Sequence, residues 1–177
     1  GMDEVSIIVD LLTGTDAGQS SSRWSRARDA LSLDGTITTP TVIDVRTLQP
    51  NKGSRYDMSN SGGGATILVF EDSQNITYPT IHYDIRNETY SLTLHLRVIH
   101  DERANGNLNY GRDRLRDLYA ILRKVIEDNR RGFTASDGSK FHQMFIGSRT
   151  ESNDRGKRLY GYKVSLEVKR FGLTIPS

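Results

Sequence analysis

The chain has 177 residues, with 24 Lys and Arg against 22 Asp and Glu, four His and no Cys. The lack of cysteine excludes a disulfide framework, a thiolate metal site and a thiol nucleophile, and fits a reducing compartment. No apolar run approaches the roughly 18 residues of a membrane-spanning helix and no basic-then-apolar leader opens the chain, so one soluble domain over 1–177 is expected.

Apolar residues make up 35% of the chain. Counting the glycines brings this only to about 44%, against the usual 45–50% or so. A core this lean suggests a fold completed by neighbours, and so an oligomer. Charge is also unevenly spread: seven basic and twelve acidic residues up to Glu88, seventeen and ten from Thr89 onward. Such asymmetry suits nucleic-acid binding, or a surface on which one copy's acidic side meets the next copy's basic side.

In chain order, Val5, Ile8, Val9 and Leu12 recur at helical spacing between Asp3, a ready N-cap, and Gly14, which predicts a short amphipathic helix. The Gly-, Ser- and Asp-rich stretch 13–23 reads as a long loop, and Trp24 to Leu33 as a second short helix. Val42 to Leu48 reads as a strand. The stretch 49–64, ending in Gly62-Gly63-Gly64, reads as a second long polar loop. Ala65 to Glu71, whose Ile67-Leu68-Val69-Phe70 is apolar on both faces, is expected as a central strand.

Alternation then becomes regular, at Ile81, Tyr83 and Ile85 and again at Tyr90, Leu92, Leu94, Leu96 and Val98, which predicts a long half-buried strand. From Asn109 the period lengthens. Leu115, Leu118, Tyr119, Leu122, Val125 and Ile126 form one stripe of a principal helix of about six turns, with Gly132 at the C-terminal cap position. Asp137-Gly138 marks a turn within 134–140, Phe141 to Ile146 a strand, 148–158 a polar hairpin loop, and Leu159 to Phe171 its long partner strand. The predicted class is α+β: a mostly antiparallel sheet against one principal amphipathic helix, with a short N-terminal helix and long polar loops.

Candidate chemistry is sparse. Glu167 and Lys169 would share one strand face, as in metal-dependent nucleases, but the nearest second acid, Asp154, falls in a loop, and alternating charge is ordinary on a solvated strand. His82, His95, His100 and His142 lack the spacing of a metal set. The triple glycine has no Gly-Lys-Ser/Thr ending and leads into a strand, not a helix. The expectation is therefore no catalytic residues, no metal and no cofactor.

The polar side of the principal helix is more informative. Arg112, Arg116, Arg123 and Arg130 lie along it, and Arg155 and Lys157 lie in the hairpin loop. These six are the candidate partner-contact surface. They read as a solvated face with interleaved charge, a contact for an acidic neighbour, or a DNA-facing surface whose affinity would fall with salt.

The Tyr78-Pro79-x-Ile81-x-Tyr83 strand start, the alternating strand through Val98, the arginine-rich helix and the terminal Leu159-Tyr160-Gly161-Tyr162 to Phe171 strand together resemble tail terminator, or tail completion, proteins of long-tailed bacteriophages and archaeal viruses. The likeness covers about residues 65–172. It implies a non-enzymatic virion protein, assembled in the host cytoplasm, that forms a ring of its own copies, commonly a hexamer. Such a ring sits on the tail tube protein, stops tube elongation and meets a neck or connector protein, with DNA passing through the lumen and no membrane contact. A head-tail connector and a basic nucleic-acid-binding module are the alternative readings.

Overall fold

The computed structural model describes residues 1–47, 65–79, 81–82, 85–100 and 108–173, apart from the side chains of Lys157 and Leu173. It is an α+β fold in two layers. Helices α1 (Glu4–Thr13), α2 (Arg23–Ala30) and α3 (Tyr110–Asp128) cover one face of a five-stranded sheet. The sheet comprises β1 (Thr41–Asp44), β2 (Ala65–Thr77), β3 (Ile85–Ile99), β6 (Gln143–Glu151) and β7 (Leu159–Leu173), in the order β1-β2-β3-β7-β6. All neighbours are antiparallel except β1 and β2. A separate two-stranded pair, β4 (Phe133–Thr134) and β5 (Lys140–Phe141), holds the Asp137-Gly138 turn.

One core joins the layers. Tyr90, Leu92, Leu94, Leu96 and Val98 of β3 and Tyr162, Val164, Leu166 and Val168 of β7 turn inward onto Leu115, Leu118, Ile121, Leu122, Val125 and Ile126 of α3. The period of two on the strands and of three to four on the helix therefore meet on one plane. Helix α1 adds Val5, Ile7, Ile8, Leu11 and Leu12, each without solvent exposure. The Asp3 side chain caps it by accepting from Ser6 N–H, and Gly14 follows, as the spacing predicted. The lean apolar supply is concentrated in these inward positions.

Several boundaries differ from the sequence expectation. Strand β1 stops at Asp44, where the chain turns into a 3-10 helix over Val45–Thr47. Strand β2 lies second from the edge, and β3 is central. Ile81 sits in a turn at 90% exposure, so the long strand begins at Ile85; Tyr83 lies outside the described residues. Helix α3 ends at Asp128 with Asn129 as its cap, the Asn129 side chain donating to the Val125 carbonyl, so Gly132 is not the stop signal. Strand β6 runs to Glu151, which shortens the expected 148–158 loop. The expected loop 13–23 shrinks to 14–22, and Arg23 pins it through Asp16 and the Asp10 carbonyl. The expected loop at 49–64, with its three glycines, lies outside the described residues. No helix among the described residues is long and apolar enough to cross a membrane.

Candidate functional site

The N-terminal end of α3 is built against the start of β7. Asn109 occupies the cap position without a side-chain capping bond, and the Gly111 N–H instead donates to His100 Nδ1 at 3.0 Å. This brings in a donor that helix starts otherwise leave unpaired. Gly111 is needed for the approach, because a Cβ there would stand 2.6 Å from the Tyr160 ring and 2.9 Å from His100 Nδ1. Tyr160 and His100 meet edge to face at 5.5 Å between centroids.

The turn before β7 is fixed as firmly. Asp154 and Leu159 exchange two backbone hydrogen bonds of 2.9 Å, and Arg155–Lys157 form a 3-10 turn between them. Arg158 is left-handed, with φ 53°, a conformation that costs energy in a residue other than glycine. Its N–H donates to the Arg155 carbonyl, and its own carbonyl accepts from the His100 N–H at 2.8 Å.

Between these elements lies an open concavity of about 380 Å³ lined by Arg112, Arg155, Arg158, His100, Asn153 and Tyr160, together with Asp154 and Leu159, the three arginines being exposed. Three arginines and one aspartate are among the lining residues. None of the three arginines forms an ion pair among the described residues. Guanidinium stays protonated at every relevant pH and matches the two oxygens of a carboxylate or phosphate, so this cavity offers a permanent anion-binding chemistry.

Of the six basic residues singled out from sequence, Arg112 and Arg155 meet at this cavity, beside the turn that contains Lys157. Arg116 is exposed one turn further along α3. Arg123 and Arg130 are elsewhere: Arg123 pairs with Glu127 at 2.8 Å, and Arg130 donates to the Glu127 carbonyl at 3.2 Å. Arg112 and Arg123 are about 16 Å apart along the helix axis. The six therefore do not form one site. Sequence reading passed over Arg158, whose role depends on the strained turn, and Arg149. The Arg149 guanidinium lies 4.8 Å from the Tyr119 ring centroid and 4.6 Å from that of Tyr162, clamping β6 to α3 and β7.

A second charged feature has the opposite sign. Arg46 binds Asp3 and Asp44 at 2.7 Å each and approaches Glu71 at 3.5 Å. Glu4 adds a fourth carboxylate, close enough to help burial push the Glu71 carboxyl up. One guanidinium among four carboxylates leaves this corner acidic. Glu71 lies near Leu92 of β3 in the sheet register, eight residues from His100, so corner and cavity are separated by about 26 Å along the strand.

The remaining candidates do not converge. Glu167 is on the exposed face of β7, eight residues from Leu159, the partner of Asp154, so the two acids are about 26 Å apart. No group of three or more His, Cys, Asp or Glu among the described residues is placed to hold a metal ion. A second cavity, about 370 Å³ between α2 and α3, is lined by charges that already pair: Asp16 with Arg23 and Arg26, and Lys124 with Asp128. At the far end of the sheet, Ile76, Tyr78, Ile81, Ile85 and Phe171 are all exposed apolar side chains.

No protein-family model matches this sequence, and no curated protein matches it either.

Proposed function

We propose that this chain is a non-enzymatic structural subunit that assembles with copies of itself into a ring, acting as a tail terminator that caps a tail tube and joins it to the neck. The observation that carries the reading is the separation of contact chemistry over one small fold. An arginine-lined cavity lies at one end, an acidic corner about 26 Å away along β3, and an exposed apolar group at the end of the sheet where β2, β3 and β7 extend beyond the core. A subunit with unlike ends makes head-to-tail contacts, which close into rings when the rotation permits. Exposed Ile76, Ile81, Ile85 and Phe171 supply the apolar area that a neighbour would cover.

The test is the mass in solution by light scattering, with negative-stain images of the assembled species. A closed ring of tube-like width that caps purified tail tubes supports the reading. Rings that bind portal-side proteins and leave tubes uncapped would move the protein to the connector. A monomer at every concentration would remove both.

A further inference from the structure

Two built features of this protein carry opposite charge. At the cavity, Arg112 comes from the first turn of α3, Arg155 from the 3-10 turn and Arg158 from the strained residue before β7, so three separate backbone positions bring arginines to the lining of one concavity. At the corner, Asp3 and Glu4 come from the start of α1, Asp44 from the end of β1 and Glu71 from β2. Arg46 neutralises only part of that charge. Neither feature can satisfy the other within one molecule, because the strand between them is too long.

We infer that the Arg112, Arg155 and Arg158 cavity is a socket for the carboxylates of the Asp3, Glu4, Asp44 and Glu71 corner of an adjacent copy. The inference rests on the ring reading and specifies its contact. A carboxylate entering the cavity would meet the lining residues Arg112, Arg155 and Arg158, all exposed, whose guanidinium groups can offer it paired, charge-assisted N–H donors beside Tyr160. Docking a corner on a socket at the opposite end of the next molecule is a heterologous contact. It repeats in one direction around an assembly and leaves every copy with both features used. The cavity is a compact concavity, and the helix beyond Arg116 carries Arg123 and Lys124 already paired with Glu127 and Asp128. That arrangement favours a few carboxylates over the long phosphate track of a duplex, which would need a continuous row of free cations.

The test uses full-length protein and exchanges charge. A socket variant, Arg112→Glu with Arg155→Glu, and a corner variant, Glu4→Lys with Glu71→Lys, should each weaken self-association by about 100-fold or more, because like charges then face each other. Mixing the two should restore assembly, since each variant's altered feature complements the other's, and the restored species should contain equal amounts of both in native mass spectrometry. Milder Arg112→Gln and Arg155→Gln changes, and a salt titration of the unaltered protein, give the same reading should the reversals unfold. Both should loosen the assembly. Socket variants that assemble like the unaltered protein would overturn the inference and leave the ring reading standing, as would two defective variants whose mixture does not recover. Loss of DNA binding with intact assembly would assign the socket to phosphate and overturn it too. An unaltered protein that never assembles removes the ring reading and this contact together.

Discussion

The imidazole of His95 fills the space that Gly161 leaves on the neighbouring strand, with Nε2 only 3.1 Å from where a Cβ would project. That same Cβ would stand 2.6 Å from the Ser152 carbonyl oxygen and 3.0 Å from that of Leu96. Two of the three obstacles are backbone atoms, one in β3 and one in Ser152, whose N–H is tied to the Gly161 carbonyl, and they cannot swing away. Gly161→Ala is therefore expected to destabilise the fold by about 1–3 kcal/mol, as overpacking in a dense interior does. Urea unfolding followed by circular dichroism reads this directly; an unchanged midpoint would show that the β6–β7 turn has slack the geometry does not reveal.

His95 also makes stability depend on pH. Burial, with Arg97 and Lys163 nearby, pushes its pKa down to about 4, and its buried Nε2 has no hydrogen-bond partner among the described residues. The folded chain holds a neutral imidazole where the unfolded chain, with an ordinary histidine, takes up a proton below about pH 6.5. Unfolding therefore binds a proton in this window. Stability is complete above about 6.5, falls as the pH drops toward 4 and gains no further loss from this group below that. Because the side chain keeps partial contact with solvent, the expected loss is about 1–2 kcal/mol, less than the full shift implies. His95→Leu, beside its cross-strand neighbour Leu68, should flatten the pH 4–6.5 slope in urea unfolding. A slope that persists in the variant would assign the acid sensitivity to another group.

How much of this was legible in the sequence depended on whether the signal was periodic. The alternation from Tyr90 to Val98, the stripe from Leu115 to Ile126 and the α1 pattern with Asp3 as its cap are repeated signals that many contacts reinforce, and the α+β class follows from them. Ile81 and Gly132 misled because each is a single residue. Ile81 alternates in phase with Ile85 yet lies in the turn before it, and Gly132 follows an end already set by the Asn129 side chain. The candidate site was half legible: Arg112 and Arg155 were marked as basic, but their meeting depends on β7 running back beside β3, a pairing of residues about 60 apart. Arg158 and the His100 to Gly111 bond carry no local signal at all.

That bond supports a third prediction. Gly111→Ala would push a methyl group into Tyr160 and His100, both of which line the cavity. Alanine is the better helix former by about 0.5–1 kcal/mol in an unobstructed position, so intrinsic propensity and packing oppose each other here. Contacts of 2.6 and 2.9 Å are severe enough for packing to win. The expected outcome is a net loss of about 1–2 kcal/mol in chemical unfolding, with Tyr160→Ala in the same chain relieving most of it. A stabilised single variant would mean that the Tyr160 ring moves aside freely.

Arg46 yields a prediction of two opposite signs. Its guanidinium holds the Asp44 carboxyl below the ordinary range; for Asp3, burial pulls upward, but hydrogen bonds from Ser6 and Arg46 together outweigh it and the net direction is also down. A carboxylate depressed in this way contributes stability that is present above its unfolded pKa and is lost as the pH falls through its folded value. Arg46→Ala should cost about 1 kcal/mol at pH 7, kept small by the half-exposed side chain, and the difference from the unaltered protein should shrink below about pH 4. For the single chain the substitution is thus a loss. For the assembly proposed above it is a gain, because four carboxylates then lack their internal cation and the corner would present more negative charge to the arginine cavity of an adjacent copy. Unfolding at pH 7 and pH 3, paired with sedimentation at low salt, separates the two effects. A weaker chain that associates more tightly is the expected result, and a weaker chain that also associates more loosely would show that the corner does not meet the socket.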